Sequence, residues 1–167
     1  ADFTTADKVT GGGTDSIEFN NSGSLNSSAF ANVNAIDSVV FSNGVDTLTL
    51  SDNKLDSVVL NLGTGSDIVN VAKGNLTNTD NINAGAGDTD VLNITDTSGA
   101  LTFLDTNFTN LSNFETLNLG NGSNDTITFS VLDKDEIPKM DTMLKEINGL
   151  DISINDLEYQ IKLTKED

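Results

Sequence analysis

The residues of this chain best suited to chemistry are aspartates that follow glycines. Asp15, Asp46, Asp67, Asp90 and Asp125 stand behind Gly11 to Gly13, Gly44, Gly63 with Gly65, Gly85 with Gly87, and Gly120 with Gly122, and Asp88 adds a carboxylate beside Asp90. A glycine corner can turn several backbone carbonyls toward one point. Beside a carboxylate, those carbonyls make a site for a hard divalent cation such as calcium, which takes about six to eight oxygen ligands. The same pairing has a plainer use, because an aspartate at a turn accepts hydrogen bonds from nearby backbone N–H groups. The residue types allow both. A carboxylate pair such as Asp88 and Asp90 could also do acid–base work. With no His, Cys or Trp and no evident basic cleft, the chain is expected not to be an enzyme.

The elements that must position these acids read as short strands. Each corner aspartate leads two apolar residues at alternate positions: Ile17 and Phe19, Leu48 and Leu50, Val69 and Val71, Leu92 and Ile94, Ile127 and Phe129. Alternation is the period of a half-buried strand. A second acidic series precedes the corners, with Asp37 ahead of Val39 and Phe41, Asp56 ahead of Val58 and Leu60, Asp80 ahead of Ile82 and Ala84, and Glu115 ahead of Leu117 and Leu119. From each of these acids to the next corner aspartate (37 to 46, 56 to 67, 80 to 90, 115 to 125) the separations are 9, 11, 10 and 10 residues. The unit is strand, corner, strand. The return path varies in length, as the loops on one side of a solenoid do. Asp96 falls outside the pattern and is expected to be a surface carboxylate whose loss is nearly silent.

The chain also repeats itself at long range. TDSIEFNNSGSLNSSAFANVNAIDSVVFSNGVDTLTLS from Thr14 aligns with TDVLNITDTSGALTFLDTNFTNLSNFETLNLGNGSNDTITFS from Thr89, at an offset that drifts from 75 to 79 residues. The alignment pairs Asp15 with Asp90, Phe30 with Phe108, Asp37 with Glu115 and Asp46 with Asp125. In both copies an apolar plug, Phe30 with Val33 and Phe108 with Leu111, is expected to cover the coil before the next strand.

Composition bounds the partners. The 167 residues carry a net charge of −18, with a pI near 4.1. Nucleic acid and anionic membrane surfaces would repel such a chain, and no apolar run reaches the roughly 20 residues of a membrane span. Divalent cations are the natural counter-charge. Stacked coils would set like charges about 4.8 Å apart, which is unfavourable unless a cation lies between them. Opening at Ala1 rather than Met, the chain is expected to be a processed product or a piece of something longer. Five of the eight lysines fall in residues 131–167, where the glycine corners stop. Pro138 and the residues after it predict a short helix, and Ile152, Ile154, Tyr159 and Ile161 a hairpin. Two units are therefore expected: a solenoid over 1–130, and a small α+β cap or assembly module over 131–167.

The corner NLGTGSDIVNV at Asn61 to Val71 resembles the glycine-rich nonapeptide of the repeats-in-toxin (RTX) family, G-G-x-G-x-D-x-U-x. NAGAGDTDVLNI, NLGNGSNDTITF and VTGGGTDSIEF are similar, although Leu62, Ala84 and Leu119 stand where the family has its first glycine. The likeness covers roughly residues 7–130 and implies an all-β, parallel β-solenoid of the β-roll or β-helix kind. It further implies calcium held by the corner aspartates and backbone carbonyls: at Asp15, Asp67, Asp90 and Asp125 with their glycines, and more weakly at Asp46. Surface-layer proteins, large adhesins and other type I secreted bacterial proteins carry such solenoids. An extracellular structural role at a bacterial cell surface follows as the expectation, with self-association into a layer, filament or adhesive array. A cell-surface glycan is a second candidate partner, and the alternative role is a calcium-triggered stalk or carrier segment of a larger adhesin, toxin or hydrolase.

Overall fold

The computed structural model describes residues 3–87, 89–120 and 124–128. The helix and hairpin expected over 131–167, together with Asp88 and Gly122, lie outside the described residues. Fourteen short strands run through the described part. In the first half these are β1 Val9–Thr10, β2 Ser16–Glu18, β3 Ser24–Asn26, β4 Val33–Asn34, β5 Ser38–Val40, β6 Thr47–Leu50 and β7 Val59–Asn61. In the second half they are β8 Ile68–Val71, β9 Asn81–Asn83, β10 Val91–Ile94, β11 Thr102–Leu104, β12 Leu111–Ser112, β13 Thr116–Asn118 and β14 Thr126–Thr128. Among the described residues helix is confined to three single 3-10 turns, at Ser27–Phe30, Lys73–Asn75 and Asp105–Phe108.

Every strand pair is parallel, and the order of pairing winds the chain into a solenoid. One side is the five-stranded sheet β2-β5-β7-β9-β12; the next is the five-stranded sheet β3-β6-β8-β10-β13. The path from the second side back to the first makes a third side, which carries the pairs β1-β4 and β11-β14 near the two ends and irregular returns between them. The all-β parallel solenoid expected from the alternation is the observed fold.

Alternation places one apolar column per inward position. Val39, Leu60 and Ile82 are in register on the first side, and Leu48, Val69, Leu92 and Leu117 on the second; all are buried. Each such Val, Leu or Ile is worth about 1.5–3 kcal/mol when fully buried. The outward neighbours stack as well, and the asparagines among them pass hydrogen bonds from turn to turn, Asn118 to Asn93 at 2.8 Å and Asn93 to Asn70 at 3.1 Å. The plug expected of the first copy is in place: Phe30 and Val33 are buried, and Phe3 packs on Phe30 and Phe19 with ring centroids 4.8 and 5.6 Å away. In the second copy Phe108 and Leu111 are half-buried, with Phe108 5.6 Å from the buried Phe103.

The duplicated sequence makes duplicated structure. Strands β2 to β6 with the turn at Ser27–Phe30 match β10 to β14 with the turn at Asp105–Phe108, and the pairs β2-β5 and β3-β6 recur as β10-β13 and β11-β14. The match runs further back than the aligned blocks. Thr4 accepts from Asp7 and caps its own N–H on that carboxylate, as Thr77 does with Asp80, and Asn32 donates to the Thr5 carbonyl as Asn110 does to that of Asn78. The two copies nevertheless occupy different sides. Strand β2 lies on the first side and its counterpart β10 on the second, because ten sides separate them, three full turns and one side more.

Candidate functional site

The acids are positioned by the register of the second side. Ser24, Thr47, Ile68, Val91 and Thr116 are mutually aligned, so the residues just before them, Gly23, Asp46, Asp67, Asp90 and Glu115, form a column. Glu115 already donates to the Asp90 carbonyl at 3.1 Å, but at Asp46, Asp67 and Asp90 the sheet ladder starts one residue later, for example with Ile68 donating to the Asp46 carbonyl at 2.9 Å. That leaves one backbone N–H per turn without a carbonyl. The acid of the following turn takes it: Gly23 donates to Asp46 Oδ1 at 2.7 Å, Asp46 to Asp67 Oδ1 at 2.7 Å, Asp67 to Asp90 Oδ1 at 2.7 Å, and Asp90 to Glu115 Oε2 at 2.6 Å. A buried N–H left unpaired costs about 1–3 kcal/mol, which gives each carboxylate a structural reason to be there.

The column is buried as well as charged. Asp67 and Asp90 are both 0 % exposed, and the second oxygen of each, Oδ2, has no hydrogen-bond partner. Burial pushes the Asp67 carboxyl up to about 6; the Asp46 N–H pulls it down, and the charges of Asp90 and Asp46 raise it further. Asp90 is likewise raised by burial and by Glu115, against the lowering effect of the Asp67 N–H. Asp46 differs, since Ser42 donates to its Oδ2 at 3.0 Å.

Glycines make room for this arrangement at the corners. A Cβ on Gly85 would lie 1.8 Å from the Gly63 carbonyl oxygen, and one on Gly87 would lie 1.8 Å from that of Gly65 and 3.0 Å from both Asp90 oxygens. Corners of successive turns therefore stack backbone on backbone, with the carboxylate beside them.

The remaining predicted acids do the same job elsewhere. Asp15 stands on the first side, where its N–H donates to Asp37 Oδ2 at 2.8 Å and its own carboxylate caps Gly12. Asp125 stands on the third side and accepts from Leu101 at 2.9 Å. Gly11 continues the β1 ladder by donating to the Asn34 carbonyl, Gly13 turns nearby with a φ of +102°, and Gly120 follows β13 against the Asp96 carbonyl. Four differences from the expected arrangement emerge. Glu115 joins the column of Asp90 instead of heading a return series, and Asp15 joins Asp37 instead of the corner acids. Asp56 sits two residues out of step with Asp37, whose aligned counterpart is Val58, because Ser38 pairs with Val59. Asp96 is not idle, since its Oδ2 accepts the Lys73 N–H at 2.6 Å where the third turn begins its return. The signal for Asp96 was faint, an acid one turn beyond a bare N–H.

Among the described residues no group of three or more His, Asp or Glu converges on one point. The column offers one acid per turn. Its buried oxygens without a hydrogen-bond partner are Asp67 Oδ2 and Asp90 Oδ2, whereas both oxygens of Asp46 already take hydrogen bonds, so Asp67 and Asp90 are the residues that would hold a calcium ion in the column. Bound there, the ion would supply countercharge to a buried carboxylate pair. No protein-family model, curated protein or solved structure matches this chain.

Proposed function

We propose that the chain is a non-enzymatic structural solenoid of the extracellular or bacterial cell-surface kind, stabilised by calcium at Asp67 and Asp90 and used in a self-associating layer, filament or adhesive array. The observation that carries this reading is the pair of orphaned buried oxygens, Asp67 Oδ2 and Asp90 Oδ2, on adjacent turns of a chain whose net charge is −18. Two like charges held in a low-dielectric column repel unless something between or beside them is positive. A cation bound only by the folded form stabilises it by mass action, about 2.7 kcal/mol at a hundredfold excess over its dissociation constant. Nothing in the column resembles a reaction centre: its acids accept backbone N–H groups, and their glycine neighbours are filled by the adjoining turn.

Thermal unfolding followed by circular dichroism, with calcium and with chelator, tests the calcium part. The melting temperature is expected to fall by several degrees in chelator, and an equal melt in both would remove calcium from the proposal. Light scattering on the same samples tests association, for which an increase in mass with calcium is expected.

A further inference from the structure

A cavity of about 250 Å³ opens on the third side, between the first return of the solenoid and the shorter return that follows β6. Phe30, Val33 and Val39 from the first copy and Leu55 from the next turn, all buried, form its floor, and polar and apolar groups share its surface about equally. Its rim holds Asn34, Lys54 and Asp56.

The second copy of the duplicated block supplies an internal comparison. At four lining positions the first copy carries the smaller side chain, Val33 against Leu111, Ala35 against Asn113, Ile36 against Phe114 and Val39 against Leu117, while at one it carries the larger, Asn34 against Ser112. The difference at Ala35 runs against backbone preference. Ala35 and Asn113 are both left-handed, with φ of 56° and 60°, a region that asparagine tolerates better than alanine. Asn113 uses its amide to bond Asn83 at 2.6 Å, whereas Ala35 contributes only a methyl to the cavity wall. The same local fold is thus built with less volume in the one copy that borders this recess.

We propose that the cavity is a binding site for a small neutral molecule with an aromatic or branched aliphatic body and one hydroxyl or carbonyl group. The body rests on Phe30, Val33, Val39 and Leu55, and the polar group meets Lys54 and Asn34 at the rim. Asp56 beside them, in a chain of charge −18, disfavours an anion. The site lies apart from the carboxylate column and does not depend on calcium binding there.

The test uses the full chain with p-cresol and toluene as probes. Millimolar p-cresol is expected to raise the melting temperature and to shift the methyl NMR signals of Val33, Ile36, Val39 and Leu55, leaving those of Val69 and Leu92 in place. The triple variant Val33→Leu, Ile36→Phe, Val39→Leu, which installs the residues of the second copy, should lose that response. Should the triple variant not fold, Ala35→Asn alone is expected to weaken p-cresol binding about tenfold or more. Lys54→Met should weaken p-cresol relative to toluene. The site is refuted by an absence of shifts at saturating probe, by shifts spread evenly over all methyls, or by unchanged binding in the filled variants. Contacts in the probe-free protein between the Val33 or Val39 methyls and residues 129–167 would refute it too, since the chain would then fill the cavity itself.

Discussion

At Asp67 two opposing demands meet in one carboxylate. Its Oδ1 is needed by the Asp46 N–H, while its charge is unwelcome between Asp46 and Asp90. Substitutions separate the two. In chelator, Asp67→Ala should lower the unfolding free energy by about 1–3 kcal/mol, because the Asp46 N–H loses its acceptor. Asp67→Asn keeps an acceptor oxygen and removes the charge, so it should be as stable as the parent in chelator and lose part of the stabilisation by calcium. Denaturant titrations of both variants, with and without the ion, check this. The pH dependence follows from the same residue. The folded-state value of about 6 exceeds the ordinary 3.8, so the folded form holds its proton more tightly than the unfolded chain does. The contribution to stability is complete below about 3.8, shrinks as the unfolded chain ionises, and is lost above about 6. Burial raises Asp80 and Asp90 in the same direction. In chelator the melting temperature should therefore rise as pH is lowered from 7 toward 5, and a flat or falling profile would contradict the buried column.

The turn is the unit at the next scale, and its corners tolerate less than its returns. Gly87→Ala would drive a methyl into the Gly65 carbonyl, at a cost of at least about 1–3 kcal/mol as the stacked corners part. Gly74, in the 3-10 turn of a return, has nothing within 4 Å of an added Cβ, so Gly74→Ala should be neutral within about 0.5 kcal/mol. Asp96→Ala belongs with the corners in this comparison despite its place in a return. Removing the acceptor of the Lys73 N–H should cost about 1–3 kcal/mol, measurable by chemical unfolding.

In the whole molecule, stability is a sum of turns each resting on its neighbours, and a turn can be removed if the phase is kept. Val59 aligns with Asn81, so deleting residues 59–80 joins Val58 to Asn81 and lets β9 and β10 take the places of β7 and β8. That shortened chain should still fold cooperatively, with a lower melting temperature. Deleting residues 59–67, a single side and its corner, would move β8 onto the first side and should abolish the cooperative transition seen by circular dichroism.

Strands, corners and the duplication were legible in the residues alone, because alternation of apolar residues and the need for glycine where backbones stack are properties of a few neighbouring residues. Leu48 and Leu50, or Val69 and Val71, could point inward in only one way once Asp46 and Asp67 marked the corners. The sequence also foresaw one use of the acids, as N–H acceptors; the other, as cation ligands, is part of the proposal. What it did not contain is which acid lies over which. Asp90 and Asp15 occupy equivalent positions in the two copies, yet one stacks on Asp67 and the other on Asp37, because the copies are offset by three turns and one further side. Counting sides is a property of the closed turn, not of any local segment. Only the wound structure placed Glu115 above Asp90, left Asp67 Oδ2 without a partner, and opened the cavity beside Ala35.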